Sequence, residues 1–331
     1  MATLKNHLNA RGGLRRTLLI VLVACNTAII SGGISSGSAA VSAPGGVTIL
    51  SERLGSSVAR PTYGWPLKPF NRPHPVRAYL NDPRISADGS SKSFHFGIDI
   101  GVPEKTPVPV YAVESGTARL VNGFAIMVWG TRTFGYWHVI PAVRSGQFVR
   151  RHQLIGRSMG WNHIHFGEYS DGQWINPLRP GGLGPFFDGT VPRLEKLTFE
   201  RNNVALDRNH VSGTSSLVLV AFDTAESILP APWPVAPAVI RWRVVRAERP
   251  LTGWHTVLES RQTFPKDAFA SVYGPGTAQN HPGYPGLYRF SLAKAWTSKS
   301  LPNGSYAIEI KAADIRSNTI VGRVSFTVDN A

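Results

Sequence analysis

The sequence is poor in cysteine, in charge and in long apolar runs. Its 331 residues include one cysteine, Cys25, so no disulfide can form within the chain. Only 17% of the residues are charged, and 20 Asp and Glu stand against 35 Lys and Arg. Beyond the N-terminal segment, no stretch approaches the roughly 18 apolar residues that a membrane-spanning helix needs. These absences exclude a disulfide framework and leave no membrane span as a candidate in the rest of the chain.

The residues that are plentiful favour short strands and turns. Hydrophobic residues make up 42% of the chain, which indicates a globular protein rather than a disordered one. There are 33 Gly and 25 Pro, and the charge-poor segments are rich in Val, Ile, Trp and Tyr. No repeat of solenoid period and no amphipathic helix longer than three turns is evident. The length suits two domains.

The basic excess predicts an affinity for polyanions. The formal net charge is +15, and four of the basic residues precede the apolar N-terminal run, so 31 basic and 20 acidic residues follow and give +11. Such a surface is attracted to nucleic acid, an acidic membrane or an anionic cell wall. No dense Lys/Arg block with interleaved aromatic residues occurs, so nucleic acid is not an expected partner.

The N-terminal segment has the pattern of a secretion signal. Arg15-Arg16 precede an uncharged apolar run from Leu18 to Ile30, and small residues continue to Ala43. We therefore expect residues 1–43 to be a signal peptide and the protein to be exported to the cell envelope, either periplasmic or extracellular. Leu22-Val23-Ala24-Cys25 resembles the lipobox of bacterial lipoproteins. Two alternatives stay open: membrane anchoring through a lipidated Cys25, or an ordinary leader and a soluble secreted form.

The remainder divides into a linker and two expected domains. Residues 44–60 are expected to be a linker, residues 61–185 a first domain ending near a Gly/Pro-rich break, and residues 190–331 a second domain. In the second domain apolar and polar residues alternate with the period of half-buried strands, as in Ile240-Arg241-Trp242-Arg243-Val244. Several such segments predict a β-sandwich.

Two pairs of potential metal ligands lie in the first domain. In His95-Phe96-Gly97-Ile98-Asp99, extended backbone places His95 and Asp99 on one side, with Gly97 removing bulk between them. In His163-Ile164-His165 a strand places both imidazoles on one face. Two His and one Asp suit a catalytic Zn²⁺ site, which has three protein ligands and a position for water. Further histidines such as His138 can move protons or stabilise an oxyanion.

The motifs resemble those of the M23 family, the lysostaphin-type or LytM-domain zinc metallopeptidases. The resemblance rests on His95-x-x-x-Asp99, Tyr136-Trp137-His138 and His163-x-His165 in this order, and it spans about Trp65 to Pro180. Trp137 departs from the family, which more often has a small residue there. The resemblance implies Zn²⁺ ligands His95, Asp99 and His165, and catalytic histidines His138 and His163. His74, His152, His210, His255 and His281 are expected to be structural or surface residues.

Together these observations predict a mainly β protein: a small antiparallel β-sheet metallopeptidase domain followed by an immunoglobulin- or fibronectin-III-like β-sandwich. The resemblance implies a zinc endopeptidase that hydrolyses the peptide cross-links of bacterial cell-wall peptidoglycan. The alternative is a non-catalytic envelope protein that binds peptidoglycan or activates another cell-wall hydrolase.

Overall fold

Alternating burial along the chain makes β-strands its dominant element. The computed structural model describes residues 41–42, 46–55, 59–224, 233–281 and 284–330. Almost all of the expected signal peptide, including Cys25, lies outside the described residues. The first fifteen strands are β1 (Val41–Ser42), β2 (Thr48–Arg53), β3 (Val76–Ala78), β4 (Pro83–Ile85), β5 (Lys92–Phe94), β6 (Ile98–Gly101), β7 (Pro109–Tyr111), β8 (Gly116–Val121), β9 (Ala125–Trp129), β10 (Thr133–Trp137), β11 (Val139–Pro141), β12 (Phe148–Val149), β13 (Leu154–Ser158), β14 (His163–Ser170) and β15 (Gln173–Ile175).

An eight-stranded antiparallel sheet organises residues 61–185. Its strand order is β12-β8-β9-β10-β14-β6-β3, and β15 pairs with β14. A three-stranded sheet, β11-β13-β7, and the β4-β5 hairpin complete this part. Ile98, Ile100, Ile164 and Phe166 are fully buried, so the alternate side chains of β6 and β14 are turned to the opposite face of the sheet. This alternation presents His163, His165 and Asp99 together.

The rest of the chain adds ten strands and three short helices. They are β16 (Arg193–Arg201), β17 (Val204–Ala205), β18 (Thr214–Thr224), β19 (Pro234–Val235), β20 (Val239–Arg246), β21 (Arg249–Pro250), β22 (His255–Glu259), a 3₁₀ helix (Lys266–Ala268), α1 (Phe269–Val272), β23 (Arg289–Thr297), a 3₁₀ helix (Ser298–Ser300), β24 (Gly304–Ala313) and β25 (Thr319–Val328). None of the helices in the described residues is long and apolar enough to span a membrane.

Two antiparallel sheets enclose the core of this second part. One has the order β1-β2-β25-β24-β20-β21 with β22 on β20, and the other has β17-β16-β18-β19 with β23 on β18. Residues of both sheets, such as Leu217 and Phe290 on one side and Ile308 and Ile310 on the other, form one buried cluster. The mainly β fold class with a β-sandwich is therefore confirmed. The domain bounds expected at residues 185 and 190 remain predictions.

The interpretation of residues 44–60 as a linker is wrong for its central part. Strand β2 pairs antiparallel with β25, which places it in the sandwich sheet. Val47, which precedes β2, is fully buried in the sandwich core. The segment is short and has few apolar residues, so its sequence looks like a linker. Its backbone groups are nevertheless satisfied by the edge of a sheet formed from the other end of the chain.

Each of the two hydrophobic cores contains a residue that comes from the other part of the chain. Phe94, from the β4-β5 hairpin, lies in the sandwich core, and Val235, from the sandwich part, lies in the core of the first part. Hydrogen bonds cross the same boundary: Ala236 N donates to Asp82 Oδ1 at 2.7 Å, and Asn81 Nδ2 donates to the Gln262 carbonyl at 2.9 Å. Residues 38–331 accordingly form one compact unit.

Replacing Phe94 with Ala should destabilise the whole unit. Phe94 is 4% exposed, and its ring centroid lies 5.3 to 5.9 Å from those of Phe264, Phe269 and Tyr273. Truncating a buried Phe leaves a cavity and costs about 3–5 kcal/mol of unfolding free energy. Urea unfolding measures the change, with Phe148→Ala (63% exposed) as a control expected to stay within about 0.5 kcal/mol. If Phe94→Ala lowered the unfolding free energy by less than about 1 kcal/mol, the insertion of Phe94 into the sandwich core would not be a source of stability.

Candidate metal and catalytic site

Three potential ligands meet where strands β6 and β14 pair. His165 on β14 is directly opposite Asp99 on β6 in the strand register. His95 precedes β6 in the chain and completes the group. His95 Nε2 is 3.0 Å from Asp99 Oδ1, His165 Nδ1 is 3.2 Å from the same oxygen, and the two nitrogens are 2.6 Å apart. The expectation that His95 and Asp99 project to one side is met.

The three ligand atoms include more hydrogen-bond acceptors than there are protons to place between them. His95 Nδ1 donates to the Tyr79 carbonyl at 2.9 Å, so Nε2 of the neutral ring carries a lone pair. Asp99 Oδ1 is also an acceptor. A proton on His165 Nδ1 could donate to one of these acceptors. His95 Nε2 and Asp99 Oδ1 would still be two acceptors 3.0 Å apart with no proton between them. The three groups therefore suit a cation among them, and their ligand atoms all lie within 4.8 Å of one another.

Burial keeps the histidines neutral, the form that binds metals. Desolvation lowers the pKa of His165 and His163 to about 4 from the ordinary value of 6.5, and it also lowers the pKa of His95. For Asp99, burial alone would raise the pKa. The neighbouring His95, Arg84 and His165 outweigh burial and hold that pKa well below its usual range. The site thus holds a carboxylate and neutral imidazoles at neutral pH.

His163 shares the exposed face of β14 with His165, as the sequence predicts. Asn162 fixes the orientation of the ring: its Oδ1 lies 3.0 Å from His163 Nδ1 and can only accept, so Nδ1 carries the proton. Nε2 then has the free lone pair, and it lies 3.9 Å from Asp99 Oδ1. His163 is therefore oriented to accept a proton beside the three potential ligands.

His138 is not on a strand, contrary to its strand-like sequence. It lies between β10 and β11 with a φ of 62°, in the left-handed region that non-glycine residues rarely adopt. This conformation turns its ring to 4.8 Å from the ring of His163 and 4.4 Å from the ring of Trp161. Desolvation lowers the pKa of His138 to about 4. Strained backbone of this kind is common at functional sites, where the surrounding structure holds it.

The structure adds Arg84, which sequence reasoning missed. Its Nη2 donates to Asp99 Oδ2 at 2.8 Å and so occupies the carboxylate oxygen that faces away from the histidines. Arg84 lies fifteen residues before Asp99, at the centre of β4, and no local spacing marks it. Only the fold of the β4-β5 hairpin brings it to the site.

The structure requires glycine at position 97 more strictly than the sequence suggested. A Cβ at this position would lie 2.3 Å from the Phe166 carbonyl oxygen and 3.0 Å from His165 Nε2. The absent side chain thus makes room for strand β14 and for the His165 imidazole, rather than only for an approaching ligand. Phe96 and Trp137 pack against each other and against His165, with ring centroids 4.3 and 4.9 Å from the imidazole.

A cavity of about 320 Å³ opens over the site and combines charge with aromatic walls. Its lining residues are Arg84, Ser93, Phe94, His95, Phe96, Asp99, Trp137, His138, His163 and His165. Described histidines outside this lining contact other parts of the molecule. For example, His152 stacks on Phe70 at 3.9 Å and His255 on Trp242 at 4.7 Å.

Comparisons with known proteins give limited likenesses. No protein-family model matches the chain, and no curated protein matches it. Among solved structures, a chain of the SpoIIQ–SpoIIIAH pore-forming complex is 22% identical, with a TM-score of 0.28, over 31% of this chain and 80% of that one. The M23 metalloprotease pseudoalterin is 16% identical, with a TM-score of 0.27, over 44% of this chain and 95% of that one. Because these scores are low, function has to be inferred from the site itself.

The metal-free protein should lose stability on acidification. The pKa of His138, His163 and His165 in the folded protein is about 4, against about 6.5 for unfolded histidine. Between these values the unfolded chain binds more protons, so the free energy of unfolding falls as pH drops from about 6.5 towards 4. Urea unfolding across this window measures the slope, which should be smaller in His163→Gln and unchanged in the exposed control His281→Gln. Equal slopes in all three proteins would contradict the burial of these neutral imidazoles.

Proposed function

We propose that the chain is a zinc-dependent endopeptidase that hydrolyses peptide bonds of bacterial cell-wall peptidoglycan. The observation that carries the proposal is the convergence of His95 Nε2, His165 Nδ1 and Asp99 Oδ1 within 3.2 Å of one another, with a second pair of neutral histidines beside them. Zinc–ligand bonds of about 2.0–2.1 Å in a tetrahedral site place ligand atoms about 3.3 Å apart, which is close to the separations of 3.0 and 3.2 Å from Asp99 Oδ1 and longer than the 2.6 Å between the two nitrogens.

The donor set fits catalytic rather than structural zinc. Two imidazoles and one carboxylate are three protein ligands, which leaves a fourth position open. When bound, the ion supplies Lewis acidity and lowers the pKa of water to about 7. Tyr79 and Arg84 orient this set. The Tyr79 carbonyl accepts from His95 Nδ1 and fixes its tautomer, and Arg84 holds the second carboxylate oxygen of Asp99.

His163 and His138 have complementary positions for proton transfer. Asn162 leaves the lone pair of His163 Nε2 facing the site, so His163 is the candidate general base. His138 lies next to it and, once protonated or as a donor from its ring N–H, can stabilise negative charge on the oxygen of a tetrahedral intermediate. Neither role requires a covalent intermediate with the protein.

The cell-wall substrate is proposed from the motifs and the charge. The order of the His95, His138 and His163 motifs resembles that of cell-wall endopeptidases. The net charge of +15 favours an anionic polymer, and the N-terminal pattern suits an exported protein. The alternative function, a non-catalytic envelope protein that binds peptidoglycan or activates another hydrolase, would keep the polymer contact and lack the reaction.

Digestion of purified peptidoglycan separates these two functions. The zinc-loaded protein should release new peptide ends that mass spectrometry of the soluble muropeptides identifies, and a chelator should abolish the release until zinc is restored. The same assay with the His163→Ala variant is the matched control for contaminating hydrolases. Retention on the polymer without new ends would contradict the endopeptidase and favour the binding protein.

The two histidines of β14 should respond differently to substitution. His165→Ala removes one of three ligands and should empty the site, whereas His163→Ala should retain close to one zinc per chain. For His163→Ala we expect kcat to fall by about 10²–10⁴, the usual contribution of a positioned acid–base group, with little change in KM. Zinc stoichiometry and steady-state rates on a soluble peptide measure both effects, after circular dichroism confirms folding. Loss of metal in His163→Ala with retention in His165→Ala would reverse the assignment.

A further inference from the structure

A second group of potential metal ligands consists of three aspartates outside the histidine site. Asp188 lies three residues after Pro185, Asp223 is the penultimate residue of strand β18, and Asp314 begins the turn between β24 and β25. One carboxylate oxygen from each lies within 4.8 Å of the other two. Asp223 is fully buried and Asp314 is 3% exposed. Three carboxylates thus converge from segments far apart in the sequence; Asp223 and Asp314 are buried, and Asp188 is half-buried.

The charges of Asp223 and Asp314 are not balanced by an ion pair with the described side chains. Neither Asp223 nor Asp314 forms an ion pair with a described Lys, Arg or His. Asp314 and Asp188 interact electrostatically with Arg316, whose guanidinium packs on the ring of Phe186 at 5.1 Å. Asp223 and Asp314 are thus two buried carboxylates without an ion pair among the described residues, and uncompensated charge is costly in a buried region.

Two buried polar atoms at the group also point to a missing partner. Asp223 Oδ1 accepts from Thr224 N at 2.9 Å, but Oδ2, which is buried, has no hydrogen-bond partner among the described residues. The hydroxyl of Tyr79 is equally buried and equally without a described partner. The strongest influences of charge on this hydroxyl come from Asp188, Asp223 and Asp314, so it faces the same group. Buried polar atoms are normally satisfied by protein, water or an ion.

We propose that Asp188, Asp223 and Asp314 form a calcium-binding site. The donors are all oxygens, which a hard cation prefers, and a Ca²⁺ ion with bonds of about 2.3–2.6 Å can reach three oxygens spaced as these are. Its two positive charges match the carboxylates of Asp223 and Asp314, which have no ion pair among the described residues. Water in a remaining coordination position would donate to the Tyr79 hydroxyl oxygen. Burial and mutual repulsion raise the pKa of Asp223 well above its ordinary value and that of Asp314 to about 7, as expected where a positive charge is lacking.

The position of the site gives calcium a structural role. Asp223 lies in β18 of one sandwich sheet and Asp314 directly follows β24 of the other, whereas Tyr79 belongs to the first part of the compact unit. Tyr79 reaches the acidic group with its hydroxyl, and its carbonyl accepts from His95 Nδ1 at 2.9 Å. Calcium would therefore join the two sheets, hold Tyr79 from its far end and so position His95. This proposal does not depend on the hydrolytic activity proposed above.

Calcium titration of the whole protein tests the site independently of hydrolysis. Divalent ions are first removed and one equivalent of zinc is restored, so that added calcium does not compete for an empty histidine site. Calorimetry should then detect one Ca²⁺ per chain, within the range up to about 10 mM that covers weak extracellular sites. At 100-fold excess over Kd the melting temperature should rise by about 5 °C or more. Absence of both saturable binding and stabilisation would overturn the proposal.

Isosteric variants locate the effect. Asp223→Asn should lose the calcium response, yet in calcium-free buffer it should be at least as stable as the wild type, because one repelling buried carboxylate is gone. Asp171→Asn, which changes an exposed aspartate, is the matched control and should respond like the wild type. A normal calcium response in both Asp223→Asn and Asp314→Asn would overturn the assignment. Should Asp223→Asn fail to fold, Asp314→Asn and the wild-type titration decide the question.

Discussion

The candidate site depends on the antiparallel pairing of β6 with β14. The register sets His165 opposite Asp99, and the two-residue period of each strand buries Ile98, Ile100 and Ile164 on the other face. A shift of one residue would bury the polar side chains and expose the apolar ones, so the hydrophobic core itself enforces the geometry of the ligands. The same packing desolvates the imidazoles and keeps them neutral. The same strand register therefore determines both the buried core and the geometry of the site.

The second constraint is the interlocked boundary between the two parts of the compact unit. The β4-β5 hairpin carries Arg84 to Asp99 and inserts Phe94 into the sandwich core, so the segment that completes the site is itself held by the sandwich. Tyr273 Oη, from the sandwich part, donates to the Asn81 carbonyl at 2.8 Å in the turn before this hairpin. The sandwich thus supports the site physically, beyond any role in binding a partner.

The carboxylates at the two sites are both removed from water, but different groups surround them. Asp99 is neutralised by Arg84 on one oxygen and faces imidazole nitrogens on the other, which suits a nitrogen-binding ion such as zinc. Asp223 faces other carboxylates and a hydroxyl, which suits an ion that prefers oxygen. The neighbours of each carboxylate, rather than the carboxylate itself, therefore decide which ion fits.

The sequence by itself determined the mainly β class, the alternating strands of the sandwich and the face shared by His163 and His165, because these follow from local periodicity. Its motifs also brought His95, Asp99 and His138 together as candidates. Only the tertiary structure decided that Thr48–Arg53 pairs with β25, that His138 adopts a left-handed backbone, and that Arg84, Asn162 and Tyr79 orient the site. These features depend on contacts between residues that are distant in the sequence or on a strained backbone. Neither leaves a periodic signal, since the free energy that selects them comes from packing of the whole unit.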